Sequence, residues 1–186
     1  MHRSQSRPCG LVGLVLLSLV AGGYLAATEP EDELKSATVL AFVRHAEWRE
    51  AAAGPINIAV LGKPATVSTL RRTLEGKTAN NRIVHVVEAR QPDLGDVQVL
   101  YLASNDSKEV RRALAAAQTS HALTIGESER FLEYGGAVNL VILDGRMSFD
   151  VSREALERAG ITISSTLLRY GQVSPAAASG KSGRLP

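Results

Sequence analysis

The chain has 186 residues, 45% of them hydrophobic and 22% charged, the proportions of one globular domain with short appendages rather than of a disordered or fibrous protein. Its formal charge of +2 comes from Arg3 and Arg7, because from Thr28 onward 19 basic residues face 19 acidic ones. A neutral domain lacks the basic face that phosphate-backbone binding requires, which excludes nucleic acid as its main partner.

Arg3 and Arg7 precede an unbroken apolar run from Gly10 to Ala27, the order of a secretory signal, so residues 1–27 are expected to direct export to the periplasm. No clean Ala-x-Ala marks a cut, and an uncleaved anchor in the inner membrane stays open. The single cysteine, Cys9, precedes the run, so no disulfide can form within the chain. From residue 28 an acidic start predicts a helix reaching Trp48, with carboxylates near the positive end of its dipole. Leu34, Ala37, Ala41, His45 and Trp48 share one stripe of that helix, and Val39, Phe42, Val43 and Ala46 cover much of the rest, which predicts burial on more than one side.

Strands follow at 56–61, 82–87, 97–102 and 122–125, separated by helices over 66–74 and 107–118, the latter capped from Ser104-Asn105-Asp106. A short helix is expected through Phe131. Segments 137–143 and 147–151 flank Asp144-Gly145, a hairpin signal, and a helix at 152–159 and the segment 161–170 complete the domain. Residues 174–186 are rich in Ala, Ser and Gly and read as a disordered tail. Only 4% of residues are aromatic, so the core must rest on aliphatic side chains. The fold class is therefore α/β: one compact domain over 28–173, with a mostly parallel mixed sheet flanked by helices and a C-terminal antiparallel hairpin.

Several motifs suggest chemistry and fail on inspection. Gly76-Lys77-Thr78 ends like a phosphate-binding loop, but Arg71 stands where that loop needs glycine, and the motif follows a helix rather than a strand. Gly180-Lys181-Ser182 fails likewise at Pro175. Gly126-Glu127-Ser128 suggests a nucleophile elbow, yet Arg130 occupies the position of the second glycine. His45, His85 and His121 lie on separate elements without metal-ligand spacing. No spacing singles out an acid and base pair, so the residues point to no enzyme, no metal and no cofactor.

A series of residues in register carries more information. Leu34-Lys35-x-Ala37 leads to Phe42 and Glu47-Trp48. Ile56-x-Ile58-x-Val60-Leu61-Gly62, Leu74-x-Gly76-Lys77, Arg82-x-Val84 and Val99-Leu100-Tyr101-Leu102 with Ser104 follow. Phe131-x-x-x-Gly135-Gly136, Asn139, Gly145-Arg146, Phe149, Ala159-Gly160 and Ile163-Ser164-Ser165-x-Leu167-Leu168-Arg169 complete it. In this order the chain resembles the YfiR family of periplasmic repressors. The resemblance implies an α/β protein, often a homodimer, that binds the periplasmic domain of an inner-membrane diguanylate cyclase and so restrains cyclic di-GMP signalling. Relatives that act as small-ligand-binding accessory modules of sensor histidine kinases give the alternative. Arg49 replaces a proline common after the tryptophan, and Val97 stands where relatives often carry cysteine, so disulfide-based redox control does not carry over. Gly135, Gly136 and Gly145 read as turn residues with positive φ. Trp48 and Arg169 are the candidate partner contacts, since Trp and Arg are enriched at interface hot spots.

Overall fold

The computed structural model describes residues 29–49, 53–89, 94–143 and 146–174. The expected signal at 1–27, Gly145 and residues 175–186 lie outside them. The first helix, α1 (Glu29–His45), buries Ser36, Val39, Leu40, Phe42 and Val43. Those positions recur at helical spacing and meet the sheet and helix α2 (Pro64–Leu74). The stripe through Leu34, Ala37 and His45 faces outward instead, with Leu34 41% exposed. The expectation of burial on more than one side is corrected accordingly: one face of α1 packs, and of the stripe through Leu34, Ala37, Ala41 and His45 only Ala41 is partly buried.

The helix also stops three residues early. Ala46–Trp48 form strand β1, antiparallel to β9 (Ile161–Ile163), with Ala46 opposite Ile163 and Trp48 opposite Ile161. Asn80, in the left-handed region at φ 50°, donates to the carbonyls of Val43 (3.2 Å) and Ala46 (2.8 Å), and Ser164 N–H donates to His45 O (3.0 Å). Partners distant in sequence thus take carbonyls that a continued helix would have to satisfy itself.

The main sheet has eight strands in the order β10-β8-β7-β6-β5-β2-β4-β3. Strands β4 (Arg82–Glu88), β2 (Ile56–Leu61), β5 (Val99–Leu102), β6 (Leu123–Gly126) and β7 (Val138–Leu143) run parallel. Antiparallel β8 (Arg146–Ser152) follows β7 as the expected hairpin, and β3 (Thr78–Ala79) flanks β4. The last strand, β10 (Gln172–Ser174), lies parallel to β8, so ordered structure runs one residue into the segment read as tail. Among the described residues no helix is long and apolar enough to cross a membrane.

Alternation along the strands divides the core in two. Ile56, Ile58, Val60, Val99, Tyr101, Leu123 and Ile125 join α1, α2 and α5 (Ser165–Leu168) on one face. Ala59, Leu100 and Leu102 meet α3 (Ser107–Ser120) on the other. Burial on both faces explains the near-continuous aliphatic runs of the parallel strands. Asp106 caps α3 by accepting from Lys108 N–H at 2.8 Å, and Ser152 caps α4 (Arg153–Ala159) by accepting from Ala155 N–H.

The expected helix through Phe131 is a run of turns instead. Its hydrogen bonds close short loops, Phe131 N–H to Ser128 O (3.0 Å) and Gly135 N–H to Leu132 O (3.0 Å) among them. The fully buried Phe131 ring sits against Gly126 and Gly136, where a Cβ on either glycine would overlap it. Anchoring that ring between two bare backbones fixes the loop in a non-helical path.

Candidate functional site

Two regions carry the residues singled out from the sequence, and they lie at opposite ends of the β1–β9 ribbon. At the Ile163 end the chain enters α5, whose first turn is capped by Ser164 accepting from Thr166 N–H (3.3 Å). Leu167 is buried under it, while Arg169 at its end is exposed and Tyr170 is 76% exposed. The Arg169 guanidinium makes no hydrogen bond or ion pair among the described residues. Arginine and tyrosine are both residue types enriched at interface hot spots. Sequence reasoning named Arg169 and missed Tyr170, although a tyrosine directly before Gly171, beyond the last helix, was a readable signal.

At the Ile161 end Trp48 is half-buried and packs against the larger core cluster. Its indole nitrogen is buried without a hydrogen-bond partner, and Arg49 N–H continues the ladder to Gly160 O at 2.9 Å. The exposed side of Trp48 borders a recess of about 320 Å³ at the end of the sheet where β4 and β5 begin, lined also by Arg49, Arg82, Asp96, His121 and Arg158. Arg82 is held in place there, its Nε donating to Gly54 O (2.6 Å) and Nη2 to Pro55 O (2.7 Å). Arg158 pairs with Glu154 at 2.5 Å. Trp48 thus lines this recess, and Arg169 does not.

The glycines differ from one another. Gly135 has φ +94°, which an L side chain adopts only under strain, whereas Gly136 is required by the approach of Phe131 and not by positive φ. Asn139, with its amide turned to satisfy both acceptors, donates to Gly126 O (3.2 Å) and Ser128 O (3.1 Å) and ties this loop to β7.

At the opposite end of the strands, where β5 and β6 finish, a polar chain links α1 to the sheet. The buried Tyr101 hydroxyl donates to Glu127, and Lys35 donates to Glu127 (2.6 Å) and Glu31 (2.6 Å). Burial, then the neighbouring Glu127 carboxylate, pushes the Tyr101 hydroxyl pKa far up, so it stays a protonated donor. Burial by itself pushes Lys35 down, but its bonds and charge pairing with Glu127 and Glu31 outweigh that and hold it above its ordinary value.

The residues weighed for chemistry are dispersed. His45 is exposed at the end of α1, and His121 sits in the left-handed conformation (φ 53°) after α3. The His85 Nδ1 lies 2.7 Å from Glu75. Ser128 Oγ is buried without a partner, and among the described residues no group of three His, Cys, Asp or Glu is placed to hold a metal.

No curated protein matches the chain. Among solved structures it is similar to the crystal structure of a conserved domain protein from Vibrio cholerae O1 biovar El Tor, with TM-score 0.55 and 13% identity over 77% of this chain. The match spans 60% of that chain's length and concerns the fold. The family model described as YfiR/HmsC-like matches residues 32–172, from the first turns of α1 through the start of β10, so the chain belongs to the YfiR/HmsC-like family.

Proposed function

We propose that this protein is an exported regulator that restrains an inner-membrane signalling enzyme by stoichiometric binding to its periplasmic sensor domain. The family is one of regulatory domains rather than known enzymes, and membership supports a role in cyclic di-GMP signalling. The match over residues 32–172 is the observation that carries the reading. A diguanylate cyclase is the enzyme proposed, and export rests on Arg3, Arg7 and the apolar run to Ala27. Such restraint is a population shift: the repressor binds the inactive state of the enzyme more tightly than the active one. A homodimer is the proposed assembly.

Arg169, with Tyr170 beside it, is the proposed partner contact, and Trp48 the second. The two ends of the ribbon then touch the partner separately. Arg169→Ala and Tyr170→Ala are expected to leave circular dichroism unchanged and to weaken capture of the partner's periplasmic domain by about 30-fold, the effect of a typical hot spot. Trp48→Ala removes core packing too, so its capture is judged with its thermal midpoint. Repression should track the ratio of this protein to the cyclase, since occupancy follows concentration against Kd. Full repression at trace levels would replace binding with catalysis. Capture of a sensor kinase instead of a cyclase would transfer the protein to the accessory-module class, and capture of no membrane signalling protein would end the repressor reading.

A further inference from the structure

The recess beside Trp48 has a neighbour. A second hollow of about 260 Å³ lies between α3, α4 and β6, walled by Leu114, Ala117, Ala122 and Ala155, and the two hollows share Arg158 and Ala159. Together they join a charged end to an apolar slot. In the slot the one strand hydroxyl, Thr124 Oγ1, is already engaged, accepting from Ala137 N–H at 2.9 Å.

The charged end has a definite sign at depth. Arg82 is half-buried, and its two described bonds go to neutral main-chain carbonyls, so it is oriented without being neutralised. Arg49, exposed at the mouth of the recess, has no carboxylate partner among the described residues. Asp96 and Glu157 also line the recess, exposed like Arg49 and Arg158, so Arg82 is its one half-buried charge and three guanidiniums there face two carboxylates. An oriented, half-buried guanidinium favours a carboxylate, which can accept two parallel N–H bonds. The indole face of Trp48 and the alanine-walled slot favour an apolar body.

We infer that these two hollows form one binding site for a small organic acid, its carboxylate held at Arg82 and Arg49 and its apolar chain passing Ala159 into the slot between α3 and α4. The first hollow lies at the small end of the range for ligand sites, about 300–1,000 Å³, which suits a short chain rather than a lipid. The site shares Trp48 with the proposed partner contacts but not Arg169 or Tyr170, so its failure would leave capture through those two residues, and with it the repressor reading, standing.

Trp48 is the only tryptophan in the chain, so the intrinsic fluorescence of the purified full chain reports on this site directly. Titration with straight-chain acids from butanoate to octanoate, below micelle-forming concentrations, is expected to give a saturable emission change. Affinity should rise about fourfold per added methylene, the value of a buried CH₂. 1-Octanol should bind at least about tenfold more weakly than octanoate, as expected when charge-assisted bonds are lost, and inorganic phosphate should leave the emission unchanged. Ala159→Leu, which narrows the passage, should abolish the gain with chain length while keeping butanoate binding. Arg82→Gln should weaken every acid. Because Arg82 also ties down residues 54 and 55, Arg49→Ala provides a second variant, expected to weaken octanoate severalfold at an unchanged thermal midpoint. No saturable response to octanoate, octanol binding as tightly as octanoate, or phosphate displacing octanoate would each overturn the site. So would an intact chain-length effect in Ala159→Leu, or wild-type octanoate affinity in Arg49→Ala.

Discussion

A methyl group added at Gly136 would overlap the Phe131 ring, whereas one added at Gly135 meets nothing nearer than Arg158 Nη2 at 3.6 Å. The two neighbours therefore fail for different reasons. Gly136→Ala must push a fully buried aromatic ring out of its seat and should cost about 1–3 kcal/mol or more as overpacking. Gly135→Ala pays only for an L residue at φ +94°, of order 1–2 kcal/mol. Denaturant unfolding of both variants checks the order, and a Gly135→Ala loss exceeding that of Gly136→Ala would contradict it. The same distinction shows what was legible at this scale. The motif Phe131-x-x-x-Gly135-Gly136 marked both positions as glycine-dependent, but only the packed ring reveals that Gly136 is there for space.

Helix α4 spans seven residues, too few to hold itself together without help from its ends and its packing. Ser152 supplies the start by accepting from Ala155 N–H at 3.2 Å, and Gly160 supplies the end in the left-handed region at φ 69°. Ser152→Ala is expected to lower stability by about 1 kcal/mol, while Ser152→Asn or Ser152→Asp, which can also cap, should restore most of it. A loss equal to that of alanine in both capping variants would contradict the cap's role. Elements whose signals are local, such as this capped helix and the β7–β8 hairpin, were readable in order. Strands β1, β3, β9 and β10 were not, because segments of two or three residues carry no periodicity, and β1, β9 and β10 exist only where a strand distant in sequence pairs with them.

Across the whole molecule, stability should fall at both ends of the pH scale. Glu75 accepts from Val86 N–H at 2.7 Å on the open edge of β4 and lies 2.7 Å from His85 Nδ1. These bonds, His85 first, hold its pKa below the ordinary 4.5. A carboxylate lowered in this way stabilises the fold fully above pH 4.5, and its contribution disappears as the pH falls through the depressed folded value. Lys35 has the opposite sign: its contribution is present below its ordinary 10.5 and is lost as the pH rises through the raised folded value. Thermal midpoints of wild type and Glu75→Gln between pH 6 and pH 3 test the acid side. The difference between them should shrink steadily as Glu75 protonates, and a constant difference would sink the assignment.

The sequence by itself determined the α/β class, the order of the long strands, the two capped helices and the hairpin, because burial on both sheet faces writes aliphatic runs and caps write short polar signatures. It also carried the family, through residues spaced along the whole domain. Tertiary structure alone decided where α1 stops, which face of it is buried, and that residues 127–135 turn rather than coil into a helix. Each of those outcomes depends on pairing or packing that no local pattern shows: Asn80 taking the carbonyls of Val43 and Ala46, Glu127 reaching Lys35, and Phe131 wedged between Gly126 and Gly136. The place of Trp48 follows the same rule. Helical spacing ran Trp48 on along α1, but pairing with β9 pulls it into a ribbon opposite Ile161.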